Sequence, residues 1–414
     1  MAVVVTGMGC VTPTGIGVPA FAESLRSGVS GTGPVACFDA RPYRCRVAAE
    51  VGGFRAADFM PMREARSLPR VVQLAVAAAR MAVDDAGVAG WRDRQRVGVL
   101  LGTSGGPAAY HFEQCMIFVE RGLRRMQPMF PAYAHNGSIA SECAIQLDAR
   151  GPVLTVSSAC TSSSDAIGLA CGLLEGGVVD VVLAGGADAP LAPLLFAAFD
   201  RIGVMSTGWN DRPELASRPF SADRDGFVLG EGAAVFVLER GRDARERGAR
   251  ISNEIAGYGA TCDAHHHFTQ APDGEEAVRA ITQAIDGAGI EAADLDYVNA
   301  HGTATPQNDA FETEILRRVL GDSAGGIPVS SSKSMVGHTL GACGAIELAA
   351  TLIGMREGFL PPTLNLDQPD PACDLDFVPH RARPARVEVA LSTSFGFGSR
   401  NAALVVRRES DAAG

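Results

Sequence analysis

Apolar, β-rich runs ending in glycine or small polar residues alternate along this chain with runs of helical period, and the alternation predicts a layered α/β fold. The clearest predicted strands lie at residues 3–6, 97–101, 153–156, 178–184, 235–239, 297–300, 327–330, 387–392 and 403–407. Val72, Val76, Ala79 and Val83 recur at helical spacing, and Gly87 follows as a stop. A Gly- and Ala-rich helix is predicted over 341–355, its small side chains suited to burial between layers. No repeat of short fixed period is visible. Around 240–250 the chain becomes charged, with Arg240, Arg242, Arg245, Arg247 and Arg250, and reads as a solvated connector helix. It divides the chain into an N-terminal half, 1–250, and a C-terminal half, 251–414. The short polar stretch after residue 408 is expected to fray.

A chain of 414 residues has room for two α/β units around a large core. Its formal charge of −11 argues against nucleic acid or an anionic membrane as the main partner, and no apolar run is long enough to span a bilayer. Residues 1–7 carry no basic leader and read as a first strand rather than a signal peptide. Ten cysteines without paired or CxxC spacing read as reduced thiols of a cytoplasmic protein.

One cysteine stands apart. Cys160, in Ser158-Ala159-Cys160-Thr161-Ser162, falls between a predicted strand and a helical pattern at Ile167, Cys171 and Leu174. A helix N-terminus there would favour thiolate over thiol, the usual route to a nucleophilic cysteine; a buried thiol acting as a small apolar residue is the plainer alternative. Three more predicted strands run into polar, glycine-rich loops: His301-Gly302-Thr303-Ala304-Thr305-Pro306, Lys333-Ser334-Met335-Val336-Gly337-His338, and Phe395-Gly396-Phe397-Gly398-Ser399-Arg400-Asn401. Strand ends are where α/β folds gather reactive groups, so these loops are candidates to converge on Cys160.

Together with the opening Val4-Val5-Thr6-Gly7-Met8-Gly9, with Arg224-Asp225-Gly226-Phe227-Val228-Leu229-Gly230-Glu231-Gly232 and with Pro361-Pro362-Thr363-Leu364-Asn365, these motifs resemble the elongating β-ketoacyl-acyl-carrier-protein synthases, the Cys-His-His ketosynthases. The resemblance implies a thiolase fold, five αβαβα layers built from two similar halves, normally dimeric. It implies an acyltransferase in which Cys160 takes the acyl chain as a thioester while His301 and His338 bind the malonyl thioester carbonyl and stabilise the enolate left by carbon dioxide. Lys333 would pair with Glu347 and orient the histidines, and the N–H groups of Cys160 and Phe397 would form the oxyanion hole. Asp309 and Glu312 would support the site. Thr303, Thr305, Phe227, Phe395, Asn401 and His266 (or His267, one residue on) would contact substrate, and Phe397 would gate it. No cofactor or metal of its own is implied; the substrates ride on the phosphopantetheine arm of an acyl carrier protein. A second histidine at 338 separates this pattern from chain-starting synthases and thiolases, and an intact Cys160 from non-catalytic chain-length factors.

Some segments resemble the subunits of type II polyketide synthases, others the fatty acid enzymes, so the partner is either a chain-length factor in a heterodimer or a second copy. Ser399-Arg400 departs from the glycine-rich gate, and a serine there is expected to restrict it. His265-His266-His267 lacks the spacing of a zinc site. For an acidic carrier protein, Arg63, Arg66 and Arg70 form one candidate docking patch, and Arg121, Arg124 and Arg125 another; solvated helix faces are the alternative for each. Ala108, Tyr110, Ile117 and Phe118 are candidate pocket walls or ordinary core.

Overall fold

In the computed structural model, which describes residues 2–88 and 90–409, one order of elements occurs twice. The first set comprises β1 (Val3–Thr12), α1 (Val18–Ser27), α2 (Arg70–Asp85), β2 (Val97–Gly102), α3 (Ala108–Arg121), α4 (Ser138–Leu147), β3 (Val153–Val156), α5 (Ser162–Glu175), β4 (Val181–Asp188) and β5 (Gly232–Arg240). The second comprises β6 (Asn253–Cys262), α6 (Glu275–Ala288), β7 (Tyr297–Asn299), α7 (Pro306–Leu320), β8 (Val329–Ser330), α8 (Cys343–Glu357), β9 (Val389–Gly396) and β10 (Arg400–Arg408). Hydrogen-bonded neighbours run β8-β7-β9-β10-β6-β1-β5-β4-β2-β3. Each half has three parallel strands followed by two antiparallel ones, and the halves meet where Val3–Val5 pair with Asn253–Ile255.

Period-2 alternation sorts the strand side chains between layers. Val235 and Val237 pack towards α2 and α4, whereas Ala234, Phe236 and Leu238 face α5 and α8. In the second half Val405 faces α6 and α7, whereas Leu404 and Val406 join the shared middle. The result is helix, sheet, helix, sheet, helix: the expected thiolase fold. α8 has no solvent-facing side over most of its length because it lies in the central layer, and every residue from Cys343 to Met355 is buried. Its Gly344 approaches α5 so closely that a Cβ would sit 2.1 Å from Ser164 Oγ.

Two expectations need correction. The strand predicted from 178 starts at Val181, because the preceding residues turn to bring the Asp180 N–H to the Arg96 carbonyl. The connector does form a helix, Gly241–Glu246, but its flanking arginines are not simply solvated: Arg240 pairs with Asp180 and Asp243, and Arg247 holds Glu239 at 2.6 Å. Most of the tail expected to fray, 410–414, lies outside the described residues, as does Met1. Among the described residues no helix is long and apolar enough to cross a membrane.

Candidate active site

β3 ends in a sharp elbow. Ala159 takes a left-handed φ of 55°, costly for a residue with a side chain, and the next residue is Cys160, on the turn Ala159–Thr161 that leads into α5. Local hydroxyls hold the elbow: Ser162 Oγ accepts the Ser158 N–H at 2.9 Å and donates to the Ala159 carbonyl at 2.6 Å, and Thr161 Oγ1 donates to the Ser158 carbonyl at 2.8 Å. From α8, Cys343 donates its thiol hydrogen to the Cys160 carbonyl at 3.2 Å. Cys160 itself is 8% exposed. Burial pushes its thiol up to about 12, against the pull of the Lys333 ammonium and the Phe397 N–H, with Asp188 and Glu347 adding to the rise. The thiolate expected at a helix end is therefore not the resting state.

Two loops of the second half bring the histidines to this thiol. His338 Nε2 lies 3.2 Å from Cys160 Sγ, and its Nδ1 accepts the Leu340 N–H at 3.3 Å. His301 follows β7, its loop anchored by Glu312, which accepts the His301 and Gly302 N–H groups at 2.7 Å each and the Thr393 hydroxyl at 2.7 Å. Lys333 Nζ reaches His301 Nδ1 at 3.3 Å and forms an ion pair with Glu347, both side chains 1% exposed. Burial works against the Lys333 charge, but Glu347, Cys343 and Glu312 outweigh it and the net shift is upward. Burial, then Lys333, hold both imidazoles well below their ordinary pKa, so both are neutral. The hydrogen-bond network assigns their tautomers. Each Nδ1 accepts from a fixed donor, so each Nε2 carries the proton.

That assignment decides what the cluster can bind. The Cys160, His301 and His338 ligand atoms lie within 4.8 Å of one another, as do those of His301, Cys343 and Glu347. A metal needs the unprotonated nitrogen, which faces Leu340 N–H in one ring and the Lys333 ammonium in the other, and that ammonium also holds Glu347. The donor set suits a developing oxyanion, not a cation. The cluster lines a cavity of about 190 Å³ whose walls include Phe227, Thr303, Thr305, Phe395 and Phe397.

Residues 1–244 match the family "Beta-ketoacyl synthase, N-terminal domain", and residues 252–367 match "Beta-ketoacyl synthase, C-terminal domain". The chain belongs to the β-ketoacyl synthase family. It is 43% identical over 414 residues to the tetracenomycin polyketide synthase ketoacyl synthase alpha subunit of Streptomyces glaucescens, covering 98% of this chain and 97% of the relative. It is 42% identical over 408 residues to 3-oxoacyl-[acyl-carrier-protein] synthase 2 of a Synechocystis strain, covering 98% of each. Among solved structures it superposes on a type II polyketide ketosynthase in complex with its acyl-carrier protein (TM-score 0.90, 33% identity) and on the ishigamide ketosynthase/chain length factor (0.91, 34%), each covering 99% of both chains.

Not every expected residue of this synthase reaches the cavity. Asp309 sits behind it, accepting the Phe220 N–H at 2.8 Å and facing Arg224 at 3.6 Å. Asn401 is buried but spends its amide on Asp263 at 2.6 Å and Thr261 at 3.2 Å, away from the cavity lining. His266 and His267 are exposed; from that loop the wall is built by Phe268, Thr269 and Gln270. Ala108, Tyr110, Ile117 and Phe118 do not line the cavity either: Tyr110 is buried against Phe130, and Phe118 is exposed. Ser399 accepts the strained geometry it was expected to resist, with φ 62°, and latches the turn to the histidine loop through the His265 and His266 N–H groups (3.2 and 3.1 Å) and the His266 carbonyl (2.8 Å).

Of the docking arginines, Arg70 is committed elsewhere. Its guanidinium donates to both Glu231 oxygens at 2.6 and 2.7 Å and to the Val51 carbonyl at 3.0 Å. Arg63, Arg66, Arg121, Arg124 and Arg125 are exposed and form no ion pair among the described residues. Sequence reasoning missed Ser104, Phe268 and Gln270 as cavity walls. Ser104 could have been found, because Thr103-Ser104-Gly105-Gly106 is a fifth polar, glycine-rich loop at a strand end.

Proposed function

We propose that the chain catalyses decarboxylative Claisen condensation, lengthening a polyketide or fatty acyl chain by two carbons in a type II system. The observation that carries this reading is the pair of Nε2–H donors, on neutral imidazoles, beside the cavity-lining thiol of Cys160. In the first half-reaction the Cys160 sulfur attacks the carrier-bound acyl thioester; the carrier's sulfur leaves and takes the thiol proton, so no net base is needed. In the second, malonyl-carrier binds with its thioester oxygen towards His301 and His338, carbon dioxide departs, and the enolate's charge falls on that oxygen. The enolate carbon attacks acyl-Cys160, the C–S bond breaks, and Cys160 regains a proton from solvent. The Cys160 and Phe397 N–H groups receive the tetrahedral oxyanion. Thr303 and Thr305, side by side on the cavity wall, hold the phosphopantetheine arm, and no cofactor of the protein's own takes part.

The nucleophile belongs to the half 1–250, and the histidines, lysine and gate to the half 251–414. The carrier protein docks at Arg124 and Arg125, with Arg63 and Arg66 as a second basic patch. The polyketide assignment draws on the segments that resemble type II subunits, and there the chain pairs with a chain-length factor; the fatty acid alternative is a homodimer. Ten free thiols fit a cytoplasmic setting. Intact-protein mass spectrometry tests the reading. Wild type should gain the acyl mass from acyl-carrier and release a β-ketoacyl carrier two carbons longer on adding malonyl-carrier, and Cys160→Ala should not acylate. A wild type that never acylates, alone or with a co-purified partner, leaves a non-catalytic partner subunit as the reading.

A further inference from the structure

Asp188, the last residue of β4, is fully buried and has no basic side chain within ion-pairing distance among the described residues. Its carboxylate instead collects five donors. Oδ1 accepts Thr103 Oγ1–H at 2.9 Å, the Gly105 N–H at 3.0 Å and the Gly106 N–H at 3.1 Å; Oδ2 accepts the Ser104 N–H at 2.8 Å and the Gly341 N–H at 2.7 Å. Four of the five are backbone groups from two separate segments. One is the turn after β2, whose Ser104 lines the cavity; the other follows His338 and Leu340, which line it too. The fit leaves no slack at the junction, since a Cβ on Gly341 would meet Ser104 N at 2.3 Å and Asp188 Oδ2 at 2.8 Å.

We infer that Asp188 is a positioning residue for the condensation: its carboxylate ties the Thr103–Gly106 turn to the His338–Gly341 turn and fixes a negative charge beside the Cys160 elbow. The tie sets where His338 Nε2 stands relative to the thiol, because Leu340 N–H, which fixes the His338 tautomer, is one residue from the clamped Gly341 N–H. The clamped turn touches that elbow, since Ser162 Oγ also donates to the Thr103 carbonyl at 3.2 Å, and from there the charge biases Cys160 towards the thiol. Burial raises Cys160 most; of the groups facing it, Lys333 and the Phe397 N–H favour thiolate, Asp188 and Glu347 oppose it, and the neutral His338 ring stands 3.2 Å from Sγ. Burial pushes the Asp188 carboxyl up to about 6 and its donors hold it from rising further, so it is ionised at neutral pH.

The test is Asp188→Asn in the full chain, read by the pH profile of iodoacetamide alkylation at Cys160 (by mass, with Cys160→Ala as blank) and by kcat and KM for malonyl-carrier. The amide keeps the shape but removes the charge and turns N–H donors towards N–H donors. Alkylation should shift to lower pH by about one unit, on the order of tenfold in rate at a fixed pH below the midpoint. In the same variant kcat should fall with KM for the carrier little changed. An unshifted alkylation profile overturns the inference, and because that arm uses no substrate it does so independently of the condensing reading, on which only the kcat arm rests. Should the amide variant not fold, Asp188→Glu keeps the charge and displaces the carboxylate; it should keep the alkylation profile and lose kcat, and wild-type kcat there overturns the positioning role.

Discussion

The ion pair beneath His301 makes two separable claims, one about stability and one about chemistry. Lys333 and Glu347 are each 1% exposed, and Lys333 also donates to His301 Nδ1. Glu347→Leu strands a buried ammonium, which costs about 3–5 kcal/mol. An unfolding entropy of about 2.1 cal/mol/K per residue gives roughly 0.9 kcal/mol/K for a chain of this length, so Tm should fall by about 3–6 °C. The double variant Lys333→Met/Glu347→Leu removes both charges and fills a similar volume, and should recover most of that loss. It should not recover activity. Without the ammonium, His301 Nδ1 has no fixed donor, the proton is free to move there from Nε2, and one of the two enolate donors is lost. Losing one such donor costs about 10²–10³ in rate. Thermal unfolding followed by circular dichroism reads the first claim, and carbon dioxide release from malonyl-carrier the second. A double variant that decarboxylates at the wild-type rate refutes the tautomer argument, and a Glu347→Leu as stable as wild type refutes the burial argument.

Both histidines have folded pKa values depressed below 6.5 by burial, so the unfolded chain binds more protons between those values and 6.5. Their contribution to stability is therefore present above pH 6.5 and lost as pH falls through it towards the folded values; the Tm difference between wild type and His338→Asn should change across pH 5–7, and a constant difference contradicts the assignment. Charge reversal, Arg124→Glu with Arg125→Glu, should raise KM for the carrier protein severalfold and weaken its salt dependence with kcat retained, and an unchanged KM removes that patch as the dock. Ser399→Gly gives up three hydrogen bonds to the histidine loop, so amide exchange at His265 and His266 should quicken; unaltered exchange means the latch contributes no protection.

The sequence reading reached Cys160, His301, Lys333 and His338 because reactive side chains in short loops carry a residue-type signature. It did not reach Asp188, whose partners are mostly backbone N–H groups and leave no such signature. The two similar halves were implied by the family resemblance and not by the letters themselves, for a related reason. β2 and β7, or α5 and α8, correspond in order and pairing, but they bury different side chains, so the likeness is topological and not a period in the letters. β6 and α6 lie between the connector and the histidine loop, where the pattern predicts no element. β6 mixes charge with glycine, and its Gly257 and Gly259 let α6 approach so closely that a Cβ would meet the Ala284 and Ala280 carbonyls near 2 Å. These glycines are packing surfaces.

The resting state of Cys160 was misread because the sequence displays only one of the two opposing effects. A strand-to-helix turn announces a helix N-terminus, and its field is worth about 0.3–1 kcal/mol, less than one pKa unit. Burial is invisible until the two halves close over the elbow, and it moves a thiol by up to about 3–5 units. Desolvation therefore wins, and Lys333 and the Phe397 N–H recover only part of the loss. For this chemistry the outcome costs little. Transfer between two thiols returns the proton to the departing sulfur, so the nucleophile need ionise only as the acyl carbon is attacked. The same dry cavity keeps both imidazoles neutral, which the enolate step requires. A site opened enough to hold Cys160 as a thiolate would also hydrate His301 and His338, and would weaken the hydrogen bonds on which decarboxylation depends.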